Sequence, residues 1–389
     1  MTKGKEADRR IGIVGLGAVG AAVATRLLAS RENGERFGLA AGSQRIAQAI
    51  RDNGFALRQG VDELRATPML ARRASFFIDE GTDLLAPSLP HWPDGKPYQL
   101  LLLCVRGEAT SAALDAALPA LAPDGAIVCL QNGLPEERVA ARAGQERTLG
   151  AVIGWSASSE GPGHAAITGR GGFILGANDS GGLIHLEAAR QVLARAFPTR
   201  LTWNLAGARW SKLALNCAIS TLGAISGLTF SELADRPGAR RLALAAIAEV
   251  CAVAQLQGVH LSRISGLDPL WLADSGDARF ISRLLRPLRH ALFWIASRQR
   301  PLQRSGMLDR LRAGRSTGQI EDLNGAVAAE AAALGAQVPV NQLLLDTVRE
   351  MERGARQIDP ENISRLEQIL EEQLSRGRLD AARGRGQLL

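Results

Sequence analysis

Of the 46 basic residues in this 389-residue chain only four are lysines, Lys3, Lys5, Lys96 and Lys212. Three of them sit in polar surroundings, two in the N-terminal stretch and one in a Pro/Gly loop. Lys212 alone lies in an apolar, helix-like run, Arg209-Trp210-Ser211-Lys212-Leu213-Ala214-Leu215-Asn216-Cys217-Ala218. Arginine keeps its proton in proteins, whereas a partly buried lysine can have its pKa lowered and pass a proton on. Lys212 is therefore a candidate general acid; the alternative is a lysine that snorkels from a half-buried helix. Asn216, four residues further on, shares its helix face. A hydride arriving at a carbonyl carbon leaves negative charge on the oxygen, which needs a placed proton donor and hydrogen bonds. Lys212 suits the first task and Asn216 the second.

The other chemical signature is Gly15-Leu16-Gly17-Ala18-Val19-Gly20, which follows the apolar run of residues 10–14 and opens an Ala-rich helix. Strand, Gly-x-Gly-x-x-Gly and helix in that order are the setting in which the motif binds a dinucleotide. Gly15 allows the tight turn, Gly17 a close approach of backbone to pyrophosphate, and Gly20 close helix–strand packing; the helix N-terminus faces the phosphates. The second strand ends in Ala41-Gly42-Ser43-Gln44-Arg45, without the acid that usually holds the ribose of NAD. Ser43 and Arg45 favour NADP, by a hydroxyl and a guanidinium toward a 2′-phosphate. Asn132, in the turn Gln131-Asn132-Gly133, stands at the carboxyl edge of the expected sheet, although turn chemistry alone also explains an Asn-Gly pair.

The elements that must position these residues fall into two kinds. Strands at residues 10–14, 37–41, 100–105 and 126–130 alternate with helices and are apolar throughout, which predicts a parallel sheet covered on both faces. Further strands with Gly-rich turns are expected over 149–177. After about residue 203 the pattern is helical, with 3.6-residue periodicity over 208–220, 240–256, 277–298 and 320–334. The expected organisation is a polar tail (1–9), a Rossmann-type α/β domain with a doubly wound sheet (10–203), and an all-helical domain (204–358). A helix and disordered tail (359–389) would complete it. An arginine-rich insertion around 265–305 reads as a solvated helix face rather than a nucleic-acid surface, since the chain has one tyrosine for stacking. The four cysteines and five histidines are scattered, which argues against disulfides and metal and for a reducing cytoplasm. No apolar window is long enough for a membrane span, and the polar N-terminus does not read as a signal peptide.

Taken together, several stretches resemble the ketopantoate reductase family: Gly15–Gly20, Gln131-Asn132-Gly133, Gly161-Pro162-Gly163, Arg209-Trp210-x-Lys212-Leu213-x-x-Asn216, Ile320-x-x-Leu323-Asn324-Gly325 and Gly335…Val338-Pro339-Val340-Asn341. The resemblance implies a Rossmann domain and a helical domain with the active site in the cleft between them. It implies NADPH-dependent reduction of 2-dehydropantoate to (R)-pantoate, a step towards pantothenate, with Lys212 as general acid and Asn132 and Asn216 contacting cofactor or substrate. The implied partner is a small 2-oxo acid, without membrane or nucleic acid, and a homodimer is compatible with it. The chain departs from the family pattern at several of the implied site positions. Arg106 stands where lysine is common, Gly42 where arginine is frequent, Ser220 for a substrate-contacting asparagine and Gly306 for a serine. Gln319 replaces the usual glutamate and Glu321 takes the following aspartate position, about 200° round the helix. These departures leave open a relative acting on another 2-oxo acid or an imine, or an NADPH-binding sensor or scaffold.

Overall fold

The computed structural model describes residues 9–32, 34–66, 84–86, 88–264, 266–273, 279–298 and 303–382. Most of the polar N-terminal stretch, parts of the arginine-rich insertion and the last seven residues of the expected disordered tail lie outside the described residues. The chain divides into two compact units, Met1–Leu205 and Ala206–Leu389.

The first unit contains strands β1 (Arg9–Val14), β2 (Glu35–Ala40), β3 (Phe55–Gln59), β4 (Asp62–Ala66), β5 (Leu84–Ala86), β6 (Tyr98–Leu103), β7 (Leu121–Cys129), β8 (Thr148–Ile153), β9 (Ser156–Gly161), β10 (His164–Gly169), β11 (Phe173–Ala177) and β12 (Thr199–Leu201). Helices α1 (Ala18–Ala29), α2 (Gln44–Asn53), α3 (Thr110–Ala117), α4 (Glu136–Ala143) and α5 (Leu183–Ala196) connect them. Eight strands form one sheet in the order β12-β11-β8-β7-β6-β1-β2-β5. Successive residues of its central strands supply opposite faces. Ile11, Ile13, Leu100, Leu102 and Val128 pack under α1 and α5, while Val14, Leu101, Leu103, Ile127 and Cys129 pack under α3 and α4. Burial on both sides is why these strands read as unbroken apolar runs.

Two features depart from the expected parallel sheet. β11 pairs antiparallel with β8, so the sheet is mixed at that end. A second sheet, β4-β3-β10-β9, packs on α1. Its β3–β4 hairpin gave no alternation to read, because four of the five residues of β4 are exposed. Gly163, in the turn between β9 and β10, has φ +75°, and a Cβ there would lie 2.8 Å from the Gly54 carbonyl oxygen. That contact accounts for Gly163; Gly161, with φ +142°, has open space around it.

The second unit is helical: α6 (Leu205–Leu215, its first residue still in the first unit), α7 (Thr221–Ser226), α8 (Phe230–Asp235), α9 (Pro237–Leu256), α10 (Pro269–Leu272), α11 (Arg279–Arg298), α12 (Leu308–Arg312), α13 (Ala326–Ala333), α14 (Pro339–Glu352) and α15 (Asn362–Ala382). Among the described residues no helix is long and apolar enough to cross a membrane. α9 starts with Pro237 at its first turn, where the missing N–H costs nothing. It buries Leu242, Ala243, Ala246, Ile247, Val250 and Val253 against its neighbours. The helices expected over 208–220 and 320–334 are not regular. A π turn, Asn216–Ser220, separates α6 from α7, and another, Glu321–Gly325, precedes α13.

Five helical segments are joined by a buried polar chain. The Glu249 carboxyl group of α9 accepts from the backbone N–H of Val340 and of Asn341, and from Asn341 Nδ2, each at 2.8 Å. Asn341 Nδ2 also donates to the Ala246 carbonyl, and Asn341 Oδ1 accepts from Asn324 Nδ2 at 2.9 Å. Asn324 Nδ2 reaches the Cys217 carbonyl at 3.2 Å, and its Oδ1 accepts from Thr221 Oγ1 at 2.7 Å. Asn324 and Asn341 have no exposed surface, so every bond they failed to make would be a full desolvation loss.

Burial pushes the Glu249 carboxyl up to about 7, against the three N–H donors that pull it down. The folded chain thus holds this proton more tightly than the unfolded chain, where the group titrates near 4.5. Its contribution to stability therefore falls as pH rises from about 4.5 to about 7 and is level above that. Glu249→Gln removes the proton equilibrium. The urea midpoint of the parent, relative to that of Glu249→Gln, should fall over this interval; a flat or rising difference contradicts the assignment.

Candidate active site

The registers of the large sheet bring the sequence-predicted cofactor residues to one edge. Val14 of β1 is level with Ala40 of β2 and with Leu103 of β6, and Leu103 is level with Cys129 of β7. All four strands are parallel, so their carboxyl ends coincide. The chain passes from β1 outward to β2 on one side and later returns to build β6 and β7 on the other. β1 is thus the switch point at which an open α/β sheet leaves a crevice for a ligand.

The three glycines of the first loop have different reasons to be there. Gly15 has φ +96°, and a Cβ would stand 2.8 Å from the Val105 backbone nitrogen. At Gly20 a Cβ would meet the Gly15 carbonyl oxygen at 1.8 Å. The fold alone requires both. Gly17 is exposed, has ordinary backbone angles, and a Cβ there would meet nothing within 4 Å. Packing does not require its missing side chain. Its carbonyl accepts from Ala21 N–H at 2.8 Å, and no side chain caps the first turn of α1. Leu16 is buried beneath the loop, while Ala18 and Val19 are half-buried in that turn. The N–H groups of such a turn have no intrahelical partners and point outward along the axis.

Around this loop stand the other predicted residues. Ser43 caps α2, its Oγ accepting from Ile46 N–H at 3.3 Å, which leaves its own O–H to donate. Arg45 is exposed in the first turn of α2. Gly42 has φ +79° with open space where a side chain would start. Arg106, beyond β6, is half-exposed and pairs with Glu108 at 3.7 Å, so its charge is partly offset. Asn132 is half-buried in the turn after β7; Gly133 holds φ +80°, and Gln131 Nε2 anchors the turn on Thr110 Oγ1 at 2.7 Å.

In the second unit Lys212, Asn216 and Ser220 are all half-buried on one continuous helical rod, among buried Leu213, Ala214, Cys217 and Ala218. The step from Lys212 to Asn216 keeps α-helical register. Ser220 is the last residue of the π turn, whose i→i+5 spacing moves it out of α-helical phase with Lys212 and Asn216. Gln319 is half-buried at the start of the helix that carries Asn324. Glu321 makes a bidentate pair with Arg349, both bonds 2.8 Å, and is thereby committed elsewhere. Gly306 is exposed, and a Cβ would meet nothing within 4 Å, so packing does not dictate its departure from serine. Beside it Ser305 is buried, its Oγ accepting from Met307 N–H at 3.2 Å. Sequence reasoning missed both π turns and the part played by Thr221 and Glu249. Asn324 and Asn341 were visible as motif residues with no role attached.

A switch-point glycine loop followed by a helical unit with a half-buried lysine defines an oxidoreductase-like two-part chain, and the comparisons agree. The family model described as "Ketopantoate reductase PanE/ApbA" matches residues 11–180, and its C-terminal counterpart matches residues 204–352. The chain belongs to the ketopantoate reductase family of oxidoreductases. It is 28% identical over 168 residues to a 2-dehydropantoate 2-reductase of Pyrococcus horikoshii, a match that covers 43% of this chain and 55% of that protein's length. A crystal structure of a PanE/ApbA family ketopantoate reductase from Ralstonia eutropha JMP134 superposes with TM-score 0.66 and 25% identity, covering 90% of this chain and all of that one. A D-mandelate dehydrogenase solved with NADH and anilino(oxo)acetate shares the fold, with TM-score 0.69, 18% identity and coverage of 89% and 99%.

The glycine geometry separates folding from binding. Gly17→Ala should leave the melting temperature unchanged and weaken dinucleotide binding by at least about tenfold, measured by fluorescence titration. Gly20→Ala should lower the melting temperature itself. Equal effects of the two substitutions on stability would contradict the distinction.

Proposed function

We propose that this chain catalyses the NADPH-dependent reduction of a 2-oxo acid, with 2-dehydropantoate to (R)-pantoate as the first reaction to test. The observation that carries the proposal is the pairing of a switch-point loop left open at Gly17 with a helix bearing half-buried Lys212 and Asn216, in a chain of this family. In this reading residues 10–203 bind the dinucleotide and 204–358 the substrate. The backbone of Gly15–Gly20 would hold the pyrophosphate. Ser43 and Arg45 would take the 2′-phosphate, with Arg106 and Asn132 completing the cofactor contacts. The cofactor supplies hydride when bound.

The protein's share of the chemistry is proton delivery and orientation. Lys212 donates its proton to the ketone oxygen as charge develops there, and Asn216 offers an amide N–H to the same substrate. Burial of the neighbouring apolar residues limits water around the lysine and strengthens both interactions. Ser220, Gly306 and Gln319 would shape the substrate side. The reading describes a cytoplasmic enzyme whose partner is a small molecule and not nucleic acid. Its assembly as a homodimer is a question for light scattering.

A second reading, reduction of another 2-oxo acid or an imine, is favoured by the substrate side itself. Gln319 cannot carry a charge, Glu321 is held by Arg349, and Gly306 offers no hydroxyl. NADH is the corresponding alternative cofactor. A panel of 2-oxo acids, with and without amines and with NADPH or NADH, separates these readings by the ratio of kcat/KM. For the best substrate, Lys212→Ala should lower kcat roughly 10²–10⁴-fold while leaving dinucleotide affinity within about twofold. Undiminished turnover would remove Lys212 from the reaction.

A further inference from the structure

The two π turns of the second unit meet at Asn324. In a regular α-helix the Cys217 carbonyl would accept the N–H of Thr221, four residues on. Here the Thr221 N–H bonds to the Ala218 carbonyl instead, and Cys217 receives Asn324 Nδ2 at 3.2 Å. The Thr221 hydroxyl donates to Asn324 Oδ1 at 2.7 Å. A helical threonine or serine hydroxyl otherwise returns to the carbonyl four residues back. Thr347 does so to Leu343, and Ser226 to Leu222, both at 2.7 Å. One amide therefore occupies both the acceptor and the donor that would meet if this turn closed to α geometry.

The orientation of that amide is not left to chance. Asn341 Nδ2 faces the Ala246 carbonyl and Glu249 Oε2, both acceptors, so Asn341 Oδ1 must face Asn324. Asn324 must then present Nδ2 on that side and Oδ1 to Thr221. The held turn contains Asn216 and Ser220 and begins four residues after Lys212. π turns of this kind recur at functional sites because they redirect side chains that a regular helix would place elsewhere.

We propose that Asn324 is a positioning residue, which holds the Asn216–Ser220 turn open and thereby fixes where Asn216 and Ser220 stand relative to Lys212. This rests on the assignment of Lys212 and Asn216 to the reaction. Asn324→Asp keeps the acceptor for Thr221 but removes the donor to Cys217. Thr221→Val removes the hydroxyl at nearly constant volume, and Thr221→Ser retains it.

The full-length variants are compared by steady-state kinetics and hydrogen exchange. Asn324→Asp should lower kcat by about 10–100-fold, the scale of a misplacement near 1 Å, with dinucleotide affinity held within about twofold. Amide exchange should accelerate over residues 212–226 and stay unchanged in the first unit. Thr221→Val should lower kcat in the same direction, and Thr221→Ser should restore it to within about twofold of the parent. Turnover within about twofold of the parent in both Asn324→Asp and Thr221→Val overturns the proposal. Should Asn324→Asp not fold, the two Thr221 variants decide it by the same criterion. A parent that reduces neither a 2-oxo acid nor, with amines added, an imine would refute the role of Lys212. Exchange over 212–226 would then decide the positioning claim, and unaltered exchange in the folded variants overturns it.

Discussion

The second unit depends on the Cys217 carbonyl, whose usual α-helical donor, the Thr221 N–H, bonds to Ala218 instead. At Cys217 the helical ladder is interrupted, and a buried acceptor without a partner is among the more expensive defects a fold can carry. Asn324 meets that need from another helix, Asn341 orients Asn324, and Glu249 orients Asn341. The polar chain crosses α7, α9, α14 and both π turns, and none of its members packs as an apolar residue could. Lys212, Asn216 and Gln319 each lie within a few residues of an atom that this chain grips.

The first unit rests on a different constraint, the single level at which β2, β1, β6 and β7 end. Strand register here is fixed by burial on two faces, since a one-residue slip would exchange Leu101 and Leu103 with Leu100 and Leu102 between two differently shaped cores. With register fixed, the turns after these strands coincide. The glycine loop, Ser43, Arg106 and Asn132 become neighbours although more than a hundred residues separate the first from the last. Gly15 and Gly20 make the loop tight, and Gly17 leaves it open.

Much of this was legible in the sequence, and the reasons are specific. The strands buried on both faces announced themselves as apolar runs, and the glycine loop was readable because its neighbours, a strand and a helix, were. The β3–β4 hairpin was invisible because β4 is almost wholly exposed and carries no alternation. The reversed β11 was invisible because pairing direction leaves no mark on composition. The π turns were illegible for a different cause. Periodicity arguments assume about 3.6 residues per turn, and one inserted residue is smaller than the tolerance of such a pattern. Leu323-Asn324-Gly325 and Val338-Pro339-Val340-Asn341 could be recognised as motifs, but only three-dimensional contact reveals that their asparagines bond to each other. Glu321 reads from sequence as no simple substitute for Gln319, and in the fold it pairs with Arg349.

Gly306 gives the arrangement a consequence for where the chain can vary. Nothing in the fold lies where its side chain would begin, so residues of many sizes can occupy that position without disturbing the helices beneath. Asn324, by contrast, is tied to two other side chains and a backbone carbonyl, and a change there disturbs all three bonds. Such a molecule has one position that packing leaves unconstrained and another that several buried bonds hold. Change at Gly306 is thus decoupled from the packing that holds the segment carrying Lys212 and Asn216.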